Sequence, residues 1–176
     1  MTAYLKQAPI GFPGDITRAD ESNVEPAMLV AASGTFASKF GIPVKYVSGG
    51  IQQFSGGAET KASFACVLIP EVLRISVSST DDTASTGVSP LSTQLQGLLV
   101  RGYCVVKCVA GTPARGGTVY VQIVANGGAA VGDFRADGTD SGNAVALDAA
   151  QAEWASDGLG PDGYGNTNIA ELRIAR

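Results

Sequence analysis

The chain has 176 residues, 45% of them apolar and only 16% charged, with 23 glycines, 8 prolines, a formal charge of −4 and no histidine. That balance lies outside the regime of intrinsic disorder, permits one domain with a buried core, and argues against nucleic-acid binding, which needs clustered lysine and arginine. Without histidine, the side chain that titrates nearest neutral pH, many acid–base and metal-dependent mechanisms are disfavoured too.

Residues 1–25 read as an irregular N-terminal arm. Lys6 is followed by no apolar run, and Pro9, Gly11, Pro13 and Gly14 break the segment, so no signal peptide is expected and synthesis is read as cytosolic. Gly11-Phe12-Pro13-Gly14-Asp15 sets backbone punctuators around an aromatic side chain, and Asp20-Glu21-Ser22-Asn23 offers turn chemistry.

Residues 26–176 read as a single β domain. Residues 27–31 form a short apolar run; 43–47 and 51–54 flank Ser48-Gly49-Gly50, a spacing suited to a hairpin; and 61–69 continue as a strand. Between 76 and 93 the composition turns to Ser, Thr, Asp and Pro, which cannot fill a core, so this stretch reads as a polar insertion loop. Strands are expected at 98–100, 103–109 and 118–124, the last two joined by the loop 111–117. Residues 148–155 could form one or two helical turns capped by Asp148. The closing segment alternates cleanly, with Ala170, Leu172 and Ile174 on one side and Ile169, Glu171 and Arg173 on the other. Short strands linked by long loops predict an all-β fold, a jelly roll or related small barrel or sandwich with an extended N-terminal arm. The longest apolar runs fall far below the roughly 20 residues that cross a bilayer.

Cys66, Cys104 and Cys108 are odd in number. On one strand Cys104 and Cys108 would lie roughly 13 Å apart, beyond the approximately 7 Å limit for a disulfide, and too far apart to grip one metal ion. They read as small buried apolar side chains.

Several motifs come close to known chemistry and are better explained as turns. Gly111-Thr112-Pro113-Ala114-Arg115-Gly116-Gly117-Thr118 resembles a phosphate-binding loop, but Gly117 occupies the lysine position and a strand follows instead of a helix. Gly158-Leu159-Gly160-Pro161-Asp162-Gly163 fits the dinucleotide string, but Pro161 interrupts it and the last strand follows. Asp133, Asp137, Asp140, Asp157 and Asp162 could offer oxygens to calcium, without the ordered spacing of an EF-hand. No Ser-x-x-Lys occurs, which leaves a serine nucleophile without that base. A paired-carboxylate glycosidase remains formally open, because separation in space cannot be read from the chain. Trp154, Tyr103, Tyr120 or Tyr164, if exposed, could stack on sugar in a carbohydrate-binding module.

An ordered set of segments carries a more specific signal. These are Gly11-Phe12-Pro13-Gly14-Asp15-Ile16-Thr17-Arg18, Leu98-Leu99-Val100-Arg101-Gly102-Tyr103, Gly116-Gly117-Thr118-Val119-Tyr120-Val121, Val131-Gly132-Asp133-Phe134, and Asn166-Thr167-Asn168-Ile169-Ala170-Glu171-Leu172. Together they resemble the tailed-bacteriophage structural cement, or capsid decoration, proteins. Residues 70–97 and 157–165 depart from that pattern in length and polarity, so contacts made there are not carried over.

The resemblance implies a non-enzymatic protein with no cofactor and no bound metal. It would sit on the outer surface of the virion head, bridging major capsid protein subunits and stabilising the icosahedral shell. The partners it implies are the major capsid protein and the chain itself, as homodimer or homotrimer, with no nucleic acid and no membrane. A phage-associated carbohydrate- or receptor-binding β module is the alternative. Within the arm, Phe12 and Pro13 are the expected capsid or subunit contacts, with Asp15 and Arg18 as orienting charges. Phe12 could equally tuck into its own domain, and the loop 76–93 could point outward or reach a partner.

Overall fold

The computed structural model describes residues 12–69, 95–140, 142–160 and 168–175. The predicted loop 76–93 lies outside these residues. Ten strands are described: β1 (Asn23–Met28), β2 (Ile42–Val47), β3 (Gly50–Gln53), β4 (Cys66–Ile69), β5 (Leu95–Lys107), β6 (Tyr120–Gln122), β7 (Phe134–Arg135), β8 (Ala144–Ala146), β9 (Ala152–Trp154) and β10 (Ile169–Ile174). The larger sheet runs β3-β2-β4-β5-β10-β9, with β1 also on β5, and a small sheet runs β7-β6-β8. Every pairing within these sheets is antiparallel, so the all-β class stands. Among the described residues no helix is long and apolar enough to cross a membrane.

β5 is the spine. Its first half lies between β1 and β4, where Leu99 is opposite both Val24 and Val67. Its second half lies between β10 and the arm, where Cys104 is opposite both Leu172 and Ile16. Two apolar cores follow from this position. The first gathers Phe54, Val67, Leu99, Cys104, Val106 and Leu172 with Val121 and Phe134 of the small sheet. The second gathers Leu29, Val44, Ile51, Cys66, Leu68 and Leu98 on the opposite face. β4 is therefore buried on both sides, which is why its four residues are all apolar.

A bulge changes the phase of β5 between its halves. Asn23 is opposite Arg101 and Val24 is opposite Leu99, so Val100 has no partner on β1. Leu99 faces the first core before the bulge, whereas Cys104 and Val106 face it afterwards. The irregularity requires Gly102: its φ is +128°, and a Cβ there would overlap Ser22.

Some predicted boundaries are corrected. Residues 98–100 and 103–109 belong largely to one continuous strand, because Gly102 bends the ladder without ending it. In the span 61–69 only Cys66–Ile69 is strand; Lys61–Ser63 is a 3-10 turn closed by reciprocal bonds between Thr60 and Ser63. The span 118–124 narrows to β6. Of the one or two helical turns allowed over 148–155 there is one, with the Asp148 carbonyl accepting from Gln151 and Ala152 at 2.8 and 3.0 Å, and β9 takes the remainder. Pairing with β10 and burial of Ala152 and Trp154 override the local helix signal. The Asp148 carboxylate caps nothing there and instead meets Lys61 Nζ at 3.0 Å.

The hairpin at 48–50 and the alternating last strand are found as read. Ile169 on the expected outer side is nevertheless buried, while Glu171 is half-buried and Arg173 exposed.

Candidate functional site

The four arm residues singled out in the sequence lie on one short strap along the edge of β5. Phe12 and Asp15 close a turn reciprocally: the Phe12 N–H donates to Asp15 Oδ2 at 2.8 Å, and the Asp15 N–H donates to the Phe12 carbonyl at 2.9 Å. Phe12, Pro13 and Asp15 are each half-buried. The turn rests closely on the backbone at Gly41, where a Cβ would lie 2.8 Å from both Pro13 Cβ and the Gly14 nitrogen. Gly41 itself has φ +71°, so glycine is required there on two counts.

From this turn the strap zips onto β5. The Gly14 N–H donates to Val105 O at 2.7 Å, Val105 N–H to Asp15 O at 2.9 Å, and Thr17 N–H to Tyr103 O at 3.1 Å. Ile16 packs against the first core. Arg18 closes the strap. Its guanidinium lies 3.9 Å from the centre of the Tyr103 ring and bonds the Glu171 carboxylate through Nε at 3.3 Å and Nη2 at 3.0 Å. The Thr17 hydroxyl donates to the same carboxylate. The strap is therefore pinned at Gly41 and at Glu171, with a short β ladder between.

Thr17, Tyr103 and Glu171 stand in the resembling segments, and Tyr103 among the candidate sugar platforms, but the sequence does not show them as one cluster with Arg18. The partners of Arg18 lie on β5 and β10, and no local spacing links position 18 to position 171.

A second cluster surrounds a cavity of about 510 Å³ lined by Lys107, Asn126, Arg135, Thr139, Asp140 and Asn168, among others. Arg135 is buried, with Nε 2.9 Å from Asp137 Oδ1 and Nη1 bonded to Gln122 Oε1 at 2.8 Å and Asp140 Oδ2 at 2.7 Å. Asp140 also accepts from Gln122, Asn126 and Asn143 at 2.8 to 2.9 Å. The bonds from Gln122 and Asn143, joined by those from Asn126 and Arg135, outweigh desolvation and hold the Asp140 carboxyl at about 2. Both Asp140 oxygens are occupied, so the cluster ties together the loops around β6 and β7.

The other expected chemistries meet structural uses. Asp133 Oδ2 accepts from Ala130 N–H at 2.7 Å and Asp157 Oδ1 from Arg115 N–H at 3.1 Å, while Asp162 lies outside the described residues. Among the described residues no group of three or more His, Cys, Asp or Glu is placed to share an ion. Trp154 is 1% exposed, with Nε1–H bonded to Thr118 O at 3.1 Å, so it offers no sugar platform. Tyr103 lies under Arg18, Tyr120 is half-buried, and Tyr164 lies outside the described residues. The glycine loop 111–118 directs its Gly116 and Gly117 N–H groups to Trp154 O and Ala114 O, so these amides form a turn and not an anion cradle. All three cysteines are buried, and burial pushes the Cys104 and Cys108 thiols upward, away from the reactive thiolate.

Comparison with known proteins adds the context that geometry lacks. A family model described as Structural cement protein (E217 gp24/Pam3 gp6) matches residues 1–175. A chain of a solved structure titled "The capsid of Myoviridae Phage XM1" superposes with a TM-score of 0.61 at 18% identity, covering 99% of this chain and 96% of that one. At that identity the likeness speaks for the fold. No curated protein matches the chain.

Proposed function

The chain belongs to the phage structural cement protein family, and from that premise we propose that it decorates the outside of a tailed-phage head. Its family makes it a capsid-stabilising structural protein of the virion. In the proposed reading it binds the major capsid protein lattice from outside, bridges neighbouring subunits and performs no catalysis. It acts as a homodimer or homotrimer and engages neither nucleic acid nor membrane.

The observation that carries this reading is the family match across residues 1–175. The physical logic agrees with it. A shell pressed from within by packaged DNA fails at its subunit junctions, and a rigid clip touching several subunits converts modest contacts into high avidity. The low charged fraction, 16%, makes the surface easier to desolvate against such partners. Phe12 and Pro13 at the tip of the strap are the proposed apolar contacts, with Asp15 shaping the turn and Arg18 fixing its course.

The test uses heads with and without the protein, imaged by electron cryo-microscopy and heated while genome release is followed. Extra density over the capsid exterior and a higher release temperature for decorated heads are expected. Identical release curves, or density confined to the interior, would overturn the proposal.

A further inference from the structure

The geometry points to Glu171 as a positioning residue for capsid binding, a role that rests on the decoration reading above. One half-buried carboxylate on β10 gathers the Thr17 hydroxyl and two guanidinium nitrogens of Arg18, while the Arg18 guanidinium lies over the Tyr103 ring. Glu171 is itself fixed, because its N–H donates to Ser156 Oγ at 2.9 Å and its strand pairs with β5. The carboxylate side chain is 12% exposed and that of Arg18 39%, so the pair lies at the edge of solvent, where it can hold a segment without building the core.

What the clasp holds is the C-terminal end of the strap. Its N-terminal end is the reciprocal Phe12–Asp15 turn seated on Gly41. Between these ends three backbone bonds to Tyr103 and Val105 set the register. The two ends together fix where Phe12 and Pro13 stand relative to the sheet. A contact segment already ordered in the free protein loses less conformational entropy on binding than a loose one does. The ion pair and the stacked ring thus act on affinity through preorganisation, without touching the partner.

The experiment combines backbone hydrogen exchange of the free protein, its melting temperature, and its apparent Kd for undecorated heads. The variants are Glu171→Ala, Glu171→Gln, Arg18→Ala and the exchanged pair R18E/E171R. Expected for the two alanine variants are lost protection at the amides of Gly14 and Thr17 and binding weakened by at least about fivefold. The melting temperature should fall less than it does when residues 1–18 are removed. Glu171→Gln, which keeps the acceptor and loses the charge, should fall between, and the exchanged pair should recover part of both protection and affinity.

Strap amides that remain protected in Glu171→Ala would overturn the anchoring role. A loosened strap with unchanged Kd would overturn the link to binding while leaving the decoration reading intact. Parent protein that fails to bind heads at all would overturn the decoration reading itself, and with it the purpose assigned to the strap.

Discussion

Glu59, 5% exposed in the loop after β3, shows how much one buried charge can depend on its neighbours. Its Oε1 accepts from Lys45 Nζ at 2.8 Å, Ser55 N–H at 2.8 Å and Ser55 Oγ at 3.0 Å, while Oε2 is buried with no protein partner. Burial alone would push the carboxyl upward, but the bonds from Lys45 and Ser55 prevail and bring it from 4.5 to about 2. A carboxyl lowered by folding stabilises the fold at pH values above its unfolded pKa. That contribution is lost as pH falls from about 4.5 towards 2. Glu59→Gln is therefore expected to cost about 2–3 kcal/mol at neutral pH and to flatten the fall in melting temperature between those two pH values. Thermal unfolding of both proteins across that range checks it. Removing Lys45 alone should be worse than removing both charges, since it strands a buried carboxylate.

Among the elements, β5 holds the two cores in one molecule. Its thirteen residues serve the second core through Leu98 and the first through Leu99, Cys104 and Val106. Without the bulge at Val100, the strand's second half would turn its cysteine and valine outward, because side chains alternate strictly along an unbroken strand. Gly102→Ala is expected to lose about 1–3 kcal/mol in chemical denaturation, from the disfavoured φ and the overlap with Ser22. Pairing it with Ser22→Gly should remove the overlap with the Ser22 side chain but leave that with its Cα, 2.7 Å away, and the backbone strain, giving only slight recovery. β9 shows the opposite balance between local preference and context. Its sequence reads as a helix start, yet the turn at Asp148 delivers Ala152 and Trp154 into the core, where burial outweighs propensity.

For the whole molecule, the strap joins fold to function. The same residues that close the edge of β5 present Phe12 and Pro13, so deletion of residues 1–18 bears on both stability and attachment. The truncated protein is expected to melt at a lower temperature, because Val105 loses two backbone bonds and Ile16 leaves the first core. At a temperature where it remains folded, its occupancy on heads should fall to background, measured by gel densitometry of purified particles. Undiminished occupancy would remove the arm from the capsid contact and move that role to another face. Many copies on one shell amplify a small change per site, so modest losses of affinity should appear as large losses of occupancy near half-saturation.

The sequence by itself determined the all-β class, the hairpin at 48–50 and the alternating last strand. Each is written locally, in period-two patterning or in turn glycines. Only the tertiary structure decided the two cores, the phase change at Val100, the strand that follows the turn at Asp148, and the clasp formed by Arg18, Tyr103 and Glu171. These depend on which strands meet across the sheets. Contacts between residues separated by 153 positions, as Arg18 and Glu171 are, leave no periodic trace along the chain that makes them.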